Sequence, residues 1–133
     1  MTPAPQKQRV LIVEDEAMIR MMLADMLADI GHDVAAEAAT LEEARRCAEE
    51  TDFDFAILDV NLDGLRSFPV ADVLAGRAIP FAFATGYGAA GIDEAYRAAP
   101  ILAKPFMLGD LRGLVARIAG ELPPPSQVPP RIG

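Results

Sequence analysis

The stretch RVLIVEDE, Arg9–Glu16, runs from a short β-branched apolar segment straight into three consecutive carboxylates. An unbroken apolar run of this length predicts a strand buried on both faces. Downstream, Ile19, Met22, Leu23, Met26, Leu27 and Ile30 recur at helical spacing, with Arg20, Asp25 and Asp29 on the opposite side. This predicts a helix that packs its apolar stripe on the sheet. Gly31 stands where such a helix ends, as its C′ residue. A strand, an acidic joint and a helix thus form the first unit.

The same unit recurs along the chain. DVAAEAA is a weak second strand, and TLEE (Thr40–Glu43) has capping-box spacing ahead of Leu41, Ala44 and Ala48. FAILD (Phe55–Asp59) is a third strand, and SFPVADVLAG a short helix ended by Gly76. PFAFAT is a fourth strand and PILA (Pro100–Ala103) a short fifth. Leu108, Leu111, Leu114, Val115 and Ile118 mark a last helix, whose propensity Gly109 and Gly113 lower. Repeated alternation predicts an α/β fold: a doubly wound, five-stranded parallel sheet with helices on both faces. Right-handed crossovers bring the C-terminal strand ends to one edge, where ligands bind in such sheets.

The weak point is Gly86–Ala99. Gly86, Gly88 and Gly91 oppose helix initiation, so a fourth helix is expected to be short or disordered and the segment mobile. Ile92 and Tyr96, at helical spacing, are its inward-facing residues.

Composition narrows the function classes. The 133 residues suit one domain with a real core, and 52% are apolar. One cysteine, Cys47, excludes an internal disulfide and fits a reducing compartment. No signal-peptide h-region opens the chain and no apolar run suffices for a membrane helix, so a cytoplasmic location without membrane insertion is expected. A net charge of -8 argues against nucleic acid and favours a bound cation. Expected boundaries are a disordered N-terminus at 1–7, a domain at 8–121 and a disordered tail at 122–133, LPPPSQVPPRIG.

The strand ends carry the chemistry. The first strand runs into Glu14, Asp15 and Glu16. The third ends at Asp59 with Asn61 two residues on. The fourth ends at Thr85, and the fifth at Lys104 followed by Pro105. Singly, each has an ordinary reading: a solvated acidic loop, a turn aspartate, a β-prone threonine, a surface lysine. Jointly, they converge on one edge. Glu14, Asp15 and Asp59 offer hard oxygen ligands to Mg2+. Lys104 offers a point charge and Thr85 a hydrogen bond to an anion. Asp59 then suits a nucleophile of the aspartyl-phosphate kind.

In VLIVEDE, FAILDVNLDG, FAT and LAKPF, in this order, the chain from about Gln8 to Glu121 resembles the receiver domains of two-component response regulators. The resemblance implies a flavodoxin-like sheet and phosphoryl transfer from a phosphohistidine to Asp59. Glu14 and Asp15 match the family's acidic pair at the metal, and Asn61 the residue that offers its backbone carbonyl to Mg2+. Thr85 and Lys104 match the phosphoryl-contacting pair. The Lys104–Pro105 bond is expected to be cis. PFAFATGYG, from Pro80 through Gly88, looks like the signature of the "FAT GUY" receivers, mostly stand-alone domains of alphaproteobacteria. The family's usual switch aromatic falls at Ile101 here, so an ordering of the Gly86–Ala99 loop is the expected output, with Tyr87 read either as a substitute aromatic or as a side chain packed on the domain surface. Met107 stands where a hydroxyl often caps the last helix, which is expected to start loosely.

The resemblance implies a sensor histidine kinase or histidine phosphotransferase as partner, with output through a downstream protein or through phosphate flux, since no effector domain follows residue 121 in this sequence. Such a domain catalyses only its own phosphorylation and dephosphorylation and is not otherwise an enzyme. The alternatives are an interaction module that uses the fold without phosphorylation, and a small metal hydrolase. The complete acid, threonine and lysine set argues against the first. The second lacks another base, because the only histidine, His32, follows a helix-ending glycine and reads as a surface residue.

Overall fold

The strand made by Arg9–Val13 (β1) is buried from Val10 onward, with Val10 and Ile12 on one face and Leu11 and Val13 on the other. A computed structural model describes residues 7–86 and 91–118 of the chain. The elements that follow are α1 (Ala17–Asp29), β2 (Asp33–Ala38), α2 (Leu41–Glu50), β3 (Phe55–Asp59), β4 (Asn61–Leu62), β5 (Leu65–Arg66), α3 (Phe68–Gly76), β6 (Phe81–Thr85), β7 (Ile101–Ala103) and α4 (Leu108–Ile118). β2, β1, β3, β6 and β7 form one sheet in that order, with every neighbouring pair parallel. Reversal of strand order beside β1 places the switch point of a flavodoxin-like sheet between β1 and β3.

Two cores explain the double burial. On one face, Leu11, Val13, Ala56, Leu58 and Phe83 pack with Ala44 and Ala48 of α2 and Val70, Ala71 and Leu74 of α3. On the other, Val10, Ile12, Phe55, Ile57, Ala82 and Ala84 pack with Leu23 and Leu27 of α1 and Leu111, Leu114 and Val115 of α4. Strand side chains alternate between the layers, so one apolar run feeds both.

Local signals are realised with informative shifts. Gly31 has φ 92 and follows the α1 C-cap, as a left-handed C′ residue should. Thr40 Oγ1 accepts from the Glu43 amide at 3.1 Å, while Glu43 reaches back to the Ala39 amide at 2.9 Å. α3 does not turn left-handed at Gly76, its last helical residue; that conformation falls on Ala78, with φ 59. Helix α4 starts more firmly than expected. Asp110 accepts from the Met107 amide at 2.8 Å, so a carboxylate from inside the helix holds the end that Met107 cannot cap.

Two expectations fail. Met22 is 41% exposed and stands with Met18 and Met21 outside the core, because only Leu23 and Leu27 of α1 point fully into the sheet. His32 is buried rather than on the surface. The turn after Gly31 folds it against the start of β1, where its Nδ1 accepts from the Gln8 amide at 2.9 Å.

Between β6 and β7 the described residues hold a 3₁₀ turn, Glu94–Tyr96, and no α-helix. Ile92 is buried, and Tyr96 stacks on Phe68 at 6.0 Å and meets Phe81 and Phe83 edge-on at 5.7 and 5.9 Å. Edge and offset contacts of this kind add to area burial. The Tyr96 hydroxyl donates to Asp72 on α3, tying the turn to that helix. Tyr87 lies outside the described residues, as do residues 1–6 of the segment expected to be disordered at 1–7 and the tail expected at 122–133.

Candidate functional site

Each strand of the central sheet delivers its polar group where its apolar run ends. β1 passes into Glu14 and Asp15, β3 ends on Asp59, β6 ends on Thr85, and β7 passes into Lys104. The register aligns them: Asp59 pairs with Ala84, and Thr85 with Ala103. The Lys104 amide donates to the Thr85 carbonyl at 2.9 Å, and the Lys104–Pro105 bond is cis. Glu14, Asp59 and Thr85 are all buried.

The Lys104 ammonium lies between two carboxylates. Its Nζ donates to Glu14 Oε1 at 2.9 Å and to Asp59 Oδ2 at 3.2 Å. Glu14 Oε2 accepts from the Glu16 amide at 3.1 Å, so both oxygens of Glu14 are engaged. Burial pushes the Glu14 carboxyl up to about 7, an effect that its hydrogen bonds from Lys104 and Glu16 oppose and the charge of Asp59 reinforces. Burial works against the Lys104 ammonium, yet the hydrogen bond and charge from Glu14, with those of Asp59, outweigh it and raise its pKa.

Asp59 Oδ1 accepts from the Asn61 amide at 3.3 Å, and Asp15 accepts from the Asp63 amide at 3.0 Å. Both acceptor bonds come from the loop after β3, which folds into a hairpin of β4 and β5. Asp63 and Gly64 form its two-residue turn with φ 52 and 90, both positive as a type I′ turn requires. The Asn61 side chain accepts from the Gly64 amide at 2.7 Å and closes the turn. The Asp-Gly dipeptide is a hairpin signal that the sequence reading left unused.

A cleft of about 370 Å³ opens over these groups, lined among others by Asp15, Asp59, Asn61, Thr85, Gly86 and Lys104. Oxygens of Glu14, Asp15 and Asp59 lie within 4.8 Å of one another. Three carboxylates so close, with one ammonium among them, form a donor set that fits a hard divalent cation. The expected residues therefore assemble on one edge. Glu16, named with them in the acidic run, is exposed at the N-cap of α1 and makes no side-chain capping bond.

Arg66 was not anticipated. It lines the same cleft from β5, donates from Nη1 to the Gly91 carbonyl at 2.8 Å and stands 6.0 Å from the Phe68 ring centroid. Only the hairpin brings it to the site, so no strand-end pattern could have flagged it.

Comparison with known proteins places this geometry. Residues 10–116 match the response regulator receiver domain family. The transcriptional regulatory protein PdtaR of Mycobacterium tuberculosis is 37% identical over 108 residues, which cover 78% of this chain and 53% of that protein. The chain thus spans about half the length of that curated relative. Among solved structures, SdrG from Sphingomonas melonis Fr1 is 41% identical with a TM-score of 0.76, covering 84% of this chain and 96% of that one. The receiver domain of the PhyR response regulator from Erythrobacter litoralis is 28% identical with a TM-score of 0.75, covering 92% and 97%. No helix among the described residues is long and apolar enough to cross a membrane.

Proposed function

We propose, given that this chain belongs to the response regulator receiver domain family, that it is a phosphoacceptor of a two-component relay and that Asp59 takes the phosphoryl group from a phosphohistidine. The observation that carries the reading is the Lys104 ammonium shared by Glu14 at 2.9 Å and Asp59 at 3.2 Å, at the mouth of an acidic cleft. A family match alone would not require that geometry. The PFAFATGYG stretch supports placement among the "FAT GUY" receivers.

The mechanism follows from the groups present. Asp59 Oδ2 attacks the phosphorus in line, a P–O bond forms to the aspartate, and the P–N bond to the donor imidazole breaks. Lys104 already holds Asp59 and neutralises charge that builds on the transferring group. Thr85, which lines the cleft at the end of β6, would donate its hydroxyl to a phosphoryl oxygen. Glu14, Asp15, Asp59 and the Asn61 carbonyl would hold Mg2+, which supplies positive charge to the phosphoryl oxygens when bound. The partner is a sensor histidine kinase or histidine phosphotransferase, and output passes to a protein target or back through the relay. The role is signalling rather than turnover of a substrate.

The test is phosphorylation by acetyl phosphate or by a kinase in the presence of Mg2+, followed by mass-spectrometric mapping. A single acid-stable, hydroxylamine-sensitive label on Asp59 is expected. A label of undiminished yield in Asp59→Asn would overturn the assignment.

A further inference from the structure

We infer that Arg66 is a further phosphoryl-binding residue of this site, one that exchanges the Gly91 carbonyl for the phosphoryl oxygens when Asp59 is modified. The inference rests on the acceptor role of Asp59 proposed above. Four observations lead to it. Arg66 lines the cleft together with Asp59, Thr85, Gly86 and Lys104. Arg66 is directly opposite Asn61 in the β4–β5 register, so the hairpin fixes its position two residues beyond the acceptor strand. Its guanidinium forms none of the ion pairs found among the described residues, which involve Lys7, Arg20 and Lys104. Among the described residues its hydrogen-bond partner is a neutral carbonyl, that of Gly91, at 2.8 Å.

A permanent charge on an acidic cleft with a neutral acceptor has donors to spare. Arginine carries five N–H donors in a planar fork that matches phosphate oxygens. Lys104 does not fill that role alone, because its charge is already shared between Glu14 and Asp59. Phosphorylation turns one carboxylate into a group of greater negative charge with three strong acceptor oxygens. A charge-assisted bidentate bond to such a group is stronger than one bond to a peptide carbonyl. The exchange has a structural consequence. Gly91 stands at the far end of the glycine-rich loop that Thr85 precedes, so Arg66 ties that loop to the hairpin only while the acceptor is bare. The same guanidinium stands by Phe68, which stacks on Tyr96. Occupancy at Asp59 thereby reaches the aromatic cluster through one side chain.

Beryllofluoride with Mg2+ is the probe, titrated into the full chain and followed by backbone amide and arginine side-chain NMR. In wild type, the Arg66 Nε–H resonance and the Gly91–Ile92 amides are expected to shift in step with Thr85 and Gly86. Arg66→Gln is expected to raise the beryllofluoride Kd about tenfold, the scale of one charge-assisted contact, and Arg66→Lys to recover part of the loss. The Mg2+ Kd measured without beryllofluoride should not weaken, since a cation is being removed from an acidic cleft. Wild-type beryllofluoride affinity in Arg66→Gln, with only a lowered Tm, would overturn the inference and leave Arg66 as a tie between hairpin and loop. Failure of wild type itself to bind beryllofluoride would instead strike the Asp59 reading, and this inference would fall with it.

Discussion

Glu14 makes stability depend on pH in a direction opposite to that of most carboxylates. Its native pKa is raised from 4.5 to about 7, chiefly by burial. Between those values the folded chain binds a proton that the unfolded chain has released. The group therefore contributes stability that is fully present below pH 4.5 and lost as pH rises through about 7. Integrating the linkage between pH 5 and pH 8 gives about 2–3 kcal/mol lost from this one residue. Glu14→Gln removes the titration while keeping the shape, at the cost of one of the two hydrogen bonds that Glu14 accepts from Lys104 and Glu16. That cost does not vary with pH, and the remaining groups cancel when the variant is subtracted from wild type. Urea unfolding of both proteins at pH 5 and pH 8, with a chelator present, isolates the effect. With an m-value of about 1.5 kcal/mol/M, the difference between the two midpoints should change by about 1.5–2 M across that range. Wild type should gain its advantage at pH 5. A difference that stays constant would show that Lys104 keeps Glu14 ionised throughout and would refute the reasoning.

Three further outcomes are expected. Mg2+ should raise the Tm of wild type by mass action, and Asp15→Ala should remove most of the rise, read by calorimetry over a metal titration; an unchanged rise would place the metal elsewhere. Tyr96→Phe keeps the ring in its aromatic cluster but deletes the donation to Asp72, and should cost about 1 kcal/mol in urea unfolding. Ser67 is fully buried and its Oγ has no hydrogen-bond partner among the described residues, so Ser67→Ala should be neutral or stabilising by up to about 1 kcal/mol, whereas a loss beyond that would reveal a partner for the hydroxyl.

Much of this protein was legible before any coordinates. Short apolar runs rich in β-branched residues and repeated along the chain fit strands of a doubly covered sheet, since a half-exposed strand would alternate; Val10–Val13 and Phe55–Leu58 are buried throughout, as that logic demands. Groups at the ends of such runs must share an edge once the sheet is parallel, which is why Glu14, Asp15, Asp59, Thr85 and Lys104 could be gathered from sequence alone. Packing partners beyond the backbone period were not legible. Six apolar residues of α1 fit one helical stripe, yet the sheet admits only Leu23 and Leu27 fully and leaves Met22 exposed, because the width of a stripe is decided by what lies opposite it. His32 looked like a surface residue because the amide that donates to it, that of Gln8, is 24 residues away in sequence. Arg66 escaped notice for a similar reason. It reaches the cleft through a two-residue turn at Asp63–Gly64, and its carbonyl partner, Gly91, lies 25 residues further along the chain. Periodicity and strand ends are local properties of a sequence; the state of a charge depends on which distant groups the fold brings within a few ångströms, and only the tertiary structure decides that.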